Sequence, residues 1–291
     1  MPAALAGQVE ADESTERGEW LSELPATVQS LVERWSLVLG EPFQPGGQTA
    51  WVTPARDAAG RDLVLKVGWA HPEAEHEADG LRAWCGAGAV RIYESCRTER
   101  TSALLLERCR PGMPLATVAE PEQDTIIAGL LTRLWHAPTR GFAGRPLREM
   151  CQAWVAEFGQ RLAALPEGSG VIDPGVARAA MELFTQLPDS AQREVLLCTD
   201  LHAGNVLSAQ REPWLVIDPK PFLGDPCYDV LQHLLNCTER LAADPVGMAQ
   251  RMADLAGVDG QRVTQWLFAR CVLECMDQPE LRPVAAALAP S

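Results

Sequence analysis

Lysine is almost missing from this chain. Of its 291 residues only two are lysine, Lys66 and Lys220, while 23 are arginine. Positive charge as a whole is also short, with 25 basic against 39 acidic residues and a net charge of −14. Phosphate backbones need basic surface, so this balance argues against nucleic acid as the main partner. It suits a soluble protein and a cationic small molecule. Long hydrophobic runs are lacking too. No segment approaches the ~18 apolar residues of a membrane span, and the N-terminus turns acidic without the basic start and apolar core of a secretory signal. The nine cysteines contain no Cys-x-x-Cys. The closest pair, Cys271 and Cys275, has helical spacing inside an apolar stretch, where buried thiols are expected rather than metal ligands. A cytoplasmic, reduced protein without a structural metal follows. Two common phosphate-binding signatures are absent as well, G-x-x-x-x-G-K-[ST] and G-x-G-x-x-G, which removes support for the usual P-loop and dinucleotide folds.

What is present is ordinary globular material, 47% apolar and 22% charged. At roughly 150 residues per domain, the length fits one large domain or two lobes. Residues 1–19 are polar and acidic and are expected to form a loose arm. A helix is expected over about 24–37, with Leu31, Val32, Trp35 and Leu39 on one face. Short strand-like runs follow at 50–52, 63–67, 90–93 and 103–107, separated by turn residues and interrupted by one helix at about 72–85. After the connection at 110–114 the period becomes helical, as in Ile126, Ile127, Leu130, Leu131 and Leu134, and again around 230–235 and 266–272. One hairpin interrupts these helices, with arms at 205–207 and 214–217. The expected architecture is α+β, a small β-rich lobe over 20–110 and a mostly helical lobe over 111–291.

Several residues stand out chemically. The run Pro45-Gly46-Gly47-Gln48 is either a loop over phosphates or a plain hairpin turn. Lys66 lies between Leu65 and Val67 in an apolar strand, a poor place for an ammonium unless it faces solvent or an anionic partner. Glu77 lies one turn before Leu81 and two before Trp84 on the next helix, so it should face inward and can be that partner. Glu73 and Glu75 are expected in solvent.

The strongest segment is Cys198-Thr199-Asp200-Leu201-His202-Ala203-Gly204-Asn205. It places a carboxylate and an amide around a tight glycine turn, just before a strand. Asp218 ends the next strand. A hairpin joining Asn205 to Asp218 supplies two oxygen ligands for Mg²⁺, with Asp200 beside them as a base. The alternative at each position is ordinary Asx-turn chemistry, which the three acceptors in this order disfavour.

The order Lys66, Glu77, Asp200-x-x-x-x-Asn205, Asp218 resembles the protein-kinase set. Its details resemble the aminoglycoside phosphotransferases, in particular the streptomycin 6-phosphotransferase and hydroxyurea phosphotransferase branch. Val64-Leu65-Lys66, Leu105-Leu106-Glu107-Arg108, Asp200-Leu201-His202-Ala203-Gly204-Asn205, Ile217-Asp218-Pro219-Lys220 and Gly224-Asp225-Pro226-Cys227-Tyr228-Asp229 carry that resemblance, over about 45–240. It implies a kinase-like fold of two lobes and a cytoplasmic, ATP- and Mg²⁺-dependent O-phosphotransferase. Lys66 would bind the α- and β-phosphates, held by Glu77, with Gly46 and Gly47 in the glycine loop. The stretch from Leu106 to Cys109, including Glu107, would be the hinge whose backbone meets adenine. Asp200 would take the proton of the substrate hydroxyl, Asn205 and Asp218 would hold Mg²⁺, and Asp229 would buttress the turn beside His202.

The chain departs from the family at Cys198-Thr199, where His-Gly is usual; both residues are small enough for the turn. Between Pro219 and Asp229 there is no Ser or Thr and no room for an activation segment, which favours a small-molecule substrate. Lys220 either contacts a phosphate or Asp200, or is solvated. Asp225, Glu274, Asp277 and Glu280 are candidates to line a pocket for a cationic drug such as streptomycin, although the last three also read as a solvated helix end. Hydroxyurea, another metabolite, or a non-catalytic nucleotide-binding role are the competing readings.

Overall fold

In a computed structural model, the structure describes residues 15–44, 46, 49–140, 142, 144–166 and 172–290. The chain divides into two compact units. The first runs to Gly112 and takes in Ser208–Leu215; the second comprises Met113–Leu207 and the chain from Val216 onward.

The first unit is built on five antiparallel strands: β1 (Val38–Leu39), β2 (Ala50–Arg56), β3 (Asp62–Trp69), β4 (Ile92–Arg97) and β5 (Thr101–Glu107), in the order β1-β2-β3-β5-β4. Alternation along β3 decides what each face does. Leu63, Leu65 and Val67 are fully buried, because side chains two apart share a face. They pack with Trp20, Leu24 and Leu31 of helix α1 (Thr15–Trp35). Lys66 has the opposite parity and lies on the other face, between Val52 and Leu104 of the neighbouring strands.

Helix α1 starts at Thr15, so residues 15–19 are helical rather than part of a loose arm; residues 1–14 lie outside the described residues. Buried Trp20 and Leu24 extend the apolar face on the N-terminal side of Pro25, which sits inside the helix. The helix stops at Trp35, where Ser36 is left-handed (φ 51°), so Leu39 pairs with Ala55 in the sheet rather than continuing the helical stripe. The helix expected at 72–85 is divided. A single 3₁₀ turn covers Pro72–Ala74, and α2 spans Glu77–Trp84 with Glu77, Gly80, Leu81 and Trp84 buried.

The second unit is helical: α3 (Glu120–Leu134), α4 (Leu147–Ala163), α5 (Pro174–Asp189), α6 (Pro226–Asp229), α7 (Leu231–Asn236), α8 (Thr238–Ala243), α9 (Pro245–Ala256), α10 (Gly260–Glu274) and α11 (Leu281–Leu288). Helix α10 buries Val263 and every residue from Trp266 to Val272, so it is covered on all sides there and forms the centre, packed by α5, α9 and α11. Cys271 and Cys275 are buried there as free thiols. Strands β6 (Val195–Leu197) and β9 (Phe222–Gly224) pair antiparallel. Strands β7 (Val206–Ser208) and β8 (Trp214–Val216) form the expected hairpin, whose tip groups with the first unit. No helix among the described residues is long and apolar enough to cross a membrane.

Candidate active site

The residues singled out by sequence fall into two groups, one in each unit. In the first unit the Lys66 ammonium donates to both carboxylate oxygens of Glu77, at 2.7 Å each. Glu77 is 3% exposed and Lys66 15%. The inward turn of Glu77 follows from its place on the buried face of α2, and the pairing keeps a buried carboxylate from being left unpaired. Glu75 is exposed as expected. Gly46 has φ 83°, a left-handed turn that glycine adopts without strain; Gly47 lies outside the described residues.

The segment read as a hinge holds its own ion pairs. Glu107 does not present its carboxylate outward. Arg211, at the hairpin tip, donates to both Glu107 oxygens and also to the carbonyls of Gly86 and Ala89. The amide of Arg91 adds another bond to Glu107. Burial raises the Glu107 pKa, but these donors outweigh it and hold the carboxyl below its ordinary value. Cys109 is half-buried, and burial pushes its thiol up to about 12. Nothing in the spacing of Arg211 pointed to this clamp; it depends on the hairpin reaching β5.

In the second unit the Asp200 turn is fixed from below. Asp229, fully buried, accepts from the amides of Cys198 (3.0 Å) and Thr199 (2.7 Å) and from the Trp135 indole (2.8 Å). Thr199 itself has φ 52°, a costly conformation for a β-branched residue. Its hydroxyl donates to the Lys220 carbonyl, and the Lys220 amide donates to the Cys198 carbonyl. The Asn205 side chain donates from Nδ2 to the Asp200 carbonyl at 3.0 Å, and the Ile217 amide donates to the Asn205 carbonyl. His202 caps the single 3₁₀ turn at Ala203–Asn205 by accepting from the Gly204 amide. A Cβ at Gly204 would fall 2.8 Å from the His202 ring, so any other residue here would have to displace that ring.

Asp218 is also left-handed, at φ 54°. Its charge raises the Asp200 pKa, which places the two carboxylates in one electrostatic site. Burial is the largest influence on Asp200 and raises its pKa, partly offset by the Lys220 ammonium, whose Nζ lies 3.4 Å from Asp200 Oδ2. Burial lowers the His202 pKa, which favours the neutral ring. The Asn205 amide donates one hydrogen to the turn, and its oxygen is an acceptor. With the Asp218 carboxylate this is an all-oxygen donor set, which fits a hard cation completed by water and phosphate oxygens.

Other candidates separate. Asp225 does not line an open pocket. It is 2% exposed, caps α6 through the Cys227 amide, and binds Arg262 and the Trp266 indole. A buried carboxylate needs such partners, and its spacing alone did not reveal Arg262. Asp277 is exposed and paired with Arg161, so it is the solvated helix end, and Glu280 is exposed beside it. Glu274 does line a cavity of about 340 Å³, together with Gln232, Asn236, Thr238, Arg270 and Gln278. Arg270 stacks on Trp154 at 4.4 Å and donates to Glu274 and to the Tyr228 hydroxyl. Sequence reading missed Arg270 and Trp154, since both fall within ordinary helical stretches.

The five-stranded α+β unit with its helical companion is a kinase-like fold. It resembles the choline kinase LicA from Streptococcus pneumoniae, with a TM-score of 0.60 at 12% identity over 90% of this chain and 95% of that one. The profile of the aminoglycoside/hydroxyurea antibiotic resistance kinases matches residues 34–279, and the chain belongs to that family. A streptomycin 6-kinase of Streptomyces glaucescens is 33% identical over 99% of this chain and 95% of its own length. A hydroxyurea phosphotransferase of Kitasatospora aureofaciens is 35% identical over 92% of this chain and 76% of its own length. The protein is thus a small-molecule phosphotransferase.

Proposed function

We propose that the protein is an ATP- and Mg²⁺-dependent O-phosphotransferase that acts on an aminoglycoside, with streptomycin as the first candidate. The observation that carries this reading is the Asp200 turn, in which one carboxylate, the Asn205 amide and Asp218 share a strained, heavily braced loop. Asp200 accepts the proton of the attacking hydroxyl. The oxygen bonds to the γ-phosphorus as its bond to the bridging oxygen breaks and ADP leaves. Burial raises the Asp200 pKa and so makes it a better base than an exposed carboxylate. Asn205 and Asp218 would hold the Mg²⁺, which neutralises phosphate charge when bound. Lys66, held by Glu77, binds the nucleotide phosphates. Because the transferred group passes through a loose transition state, positioning and charge dominate.

The streptomycin 6-kinase that matches 99% of this chain supports streptomycin as the first acceptor, and the net charge of −14 suits a cationic substrate.

The test is ADP release with Mg·ATP against streptomycin, other aminoglycosides and hydroxyurea, with Asp200→Asn as control. Turnover with streptomycin, lost in the variant while ATP binding stays, supports the proposal. Turnover with hydroxyurea alone keeps the mechanism and replaces the substrate. Full activity of Asp200→Asn overturns the assignment of the base.

A further inference from the structure

The chain spends one of its two lysines beside the proposed base. Lys220 sits two residues after Asp218, and its Nζ lies 3.4 Å from Asp200 Oδ2, with the lysine side chain 37% exposed and the aspartate 19%. Its backbone is pinned on both sides: the Lys220 amide donates to the Cys198 carbonyl at 3.0 Å, and its carbonyl accepts from the Thr199 hydroxyl. The same two loop residues are held by Asp229. The position of Lys220 is therefore set by the framework that sets Asp200, not by a flexible surface turn. An exposed ion pair alone contributes little to stability, and 23 other cations in this sequence are arginine. A guanidinium would bind the Asp200 carboxylate in a bidentate fork and occupy it. A lysine is a point charge, and it leaves the carboxylate able to receive a proton.

We propose that Lys220 is a catalytic residue whose ammonium contacts the oxygens of the transferring phosphoryl group. This rests on the assignment of Asp200 as base. The attacking hydroxyl must lie within hydrogen-bond reach of Asp200, and the γ-phosphorus must lie within about 3–3.5 Å of that hydroxyl oxygen. An ammonium 3.4 Å from the same carboxylate is within a side-chain rotation of the equatorial phosphoryl oxygens. Negative charge on those oxygens is what a fixed cation stabilises. The bonds that change are unaltered by it. The substrate O–H proton goes to Asp200, the new O–P bond forms, the γ-phosphorus to bridging-oxygen bond breaks with its electrons leaving on ADP, and Lys220 keeps its proton throughout.

The experiment compares wild type, Lys220→Ala and Lys220→Arg in Mg·ATP turnover with the acceptor, and repeats each with the γ-thio analogue of ATP. Lys220→Ala is expected to lower kcat by about 10²–10³-fold, with the KM for ATP within about threefold of wild type and thermal stability retained. Lys220→Arg should recover little of the loss, because its guanidinium forks onto the Asp200 carboxylate. The rate ratio between ATP and its γ-thio analogue should shrink in Lys220→Ala, since the oxygen contact that sulfur weakens is already gone; a bracing role for the side chain would leave that ratio unchanged. Wild-type turnover together with an unaltered kcat in Lys220→Ala overturns the role of Lys220 and leaves the kinase reading standing. An unchanged thio ratio overturns it as well. Absence of both transfer and ATP hydrolysis in the wild-type protein overturns the kinase reading, and the lysine's role with it.

Discussion

Asp229 takes the backbone amides of both Cys198 and Thr199, one on each carboxylate oxygen, and so holds the turn that carries Asp200 in a left-handed conformation at Thr199. Neither side chain is needed for the contact. The bonds come from main-chain amides, which any residue but proline supplies.

Replacing Asp229 by Asn should therefore loosen the turn. The amide NH₂ would face an N–H donor, leaving a buried group unsatisfied at a cost of about 1–3 kcal/mol. We expect a lower melting temperature and a larger fall in kcat than in the KM for ATP. Burial also pushes the Asp229 carboxyl up to about 6 from an ordinary 3.8. The folded state holds this proton more tightly than the unfolded chain, so the group favours folding most below pH 4, and that contribution fades as pH rises through about 6. Melting curves across pH 4–7 should change less in Asp229→Asn than in wild type.

Asp124 should act in the opposite sense. It is buried, and burial raises its pKa. Its bonds to His233, Arg240 and Arg251, at 2.7–2.9 Å, outweigh that effect and hold the carboxyl well below its ordinary value. Its stabilisation is present above pH 4 and is lost as pH falls below the ordinary carboxylate pKa. Asp124→Asn should lower the melting temperature at pH 7 and remove part of the acid sensitivity below pH 4.

The Lys66–Glu77 pair predicts an asymmetry. Lys66→Ala strands a carboxylate that is only 3% exposed, whereas Glu77→Gln leaves an ammonium with more access to solvent. Lys66→Ala should be the more destabilising, and the double variant should regain stability relative to it. Thermal melts of the four proteins decide this. An additive result would mean that the pair contributes no coupling. Both single variants should raise the KM for ATP.

Arg211 ties the hairpin tip to Glu107 and to the carbonyls of Gly86 and Ala89. Arg211→Ala should cost about 2–3 kcal/mol, because it leaves a partly buried carboxylate and carbonyls without their donor. Arg211→Lys should restore little of this, since one ammonium cannot reproduce the planar fork. Denaturant titration measures both, and an equal midpoint for wild type and Arg211→Ala would show that water replaces the clamp without cost.

Sequence by itself determined the elements that rest on local pattern. The two-residue period of β3 separated Leu63, Leu65 and Val67 from Lys66, and the spacing of Glu77, Leu81 and Trp84 turned Glu77 inward. The order of Lys66, Glu77, Asp200, Asn205 and Asp218 carries the resemblance to the kinase-like family by sequence alone. Helix α1 begins at Thr15, ahead of the expected start near residue 24, where Trp20 and Leu24 pack on the sheet. Partners distant in sequence were decided by the tertiary structure alone. The Asp225 carboxylate is closed in by Arg262 and Trp266, and the Glu107 carboxylate by Arg211 from the hairpin. Local periodicity fixes which way a side chain faces, but the charge it meets is brought there by the folding of other segments, and no spacing along the chain encodes that distance.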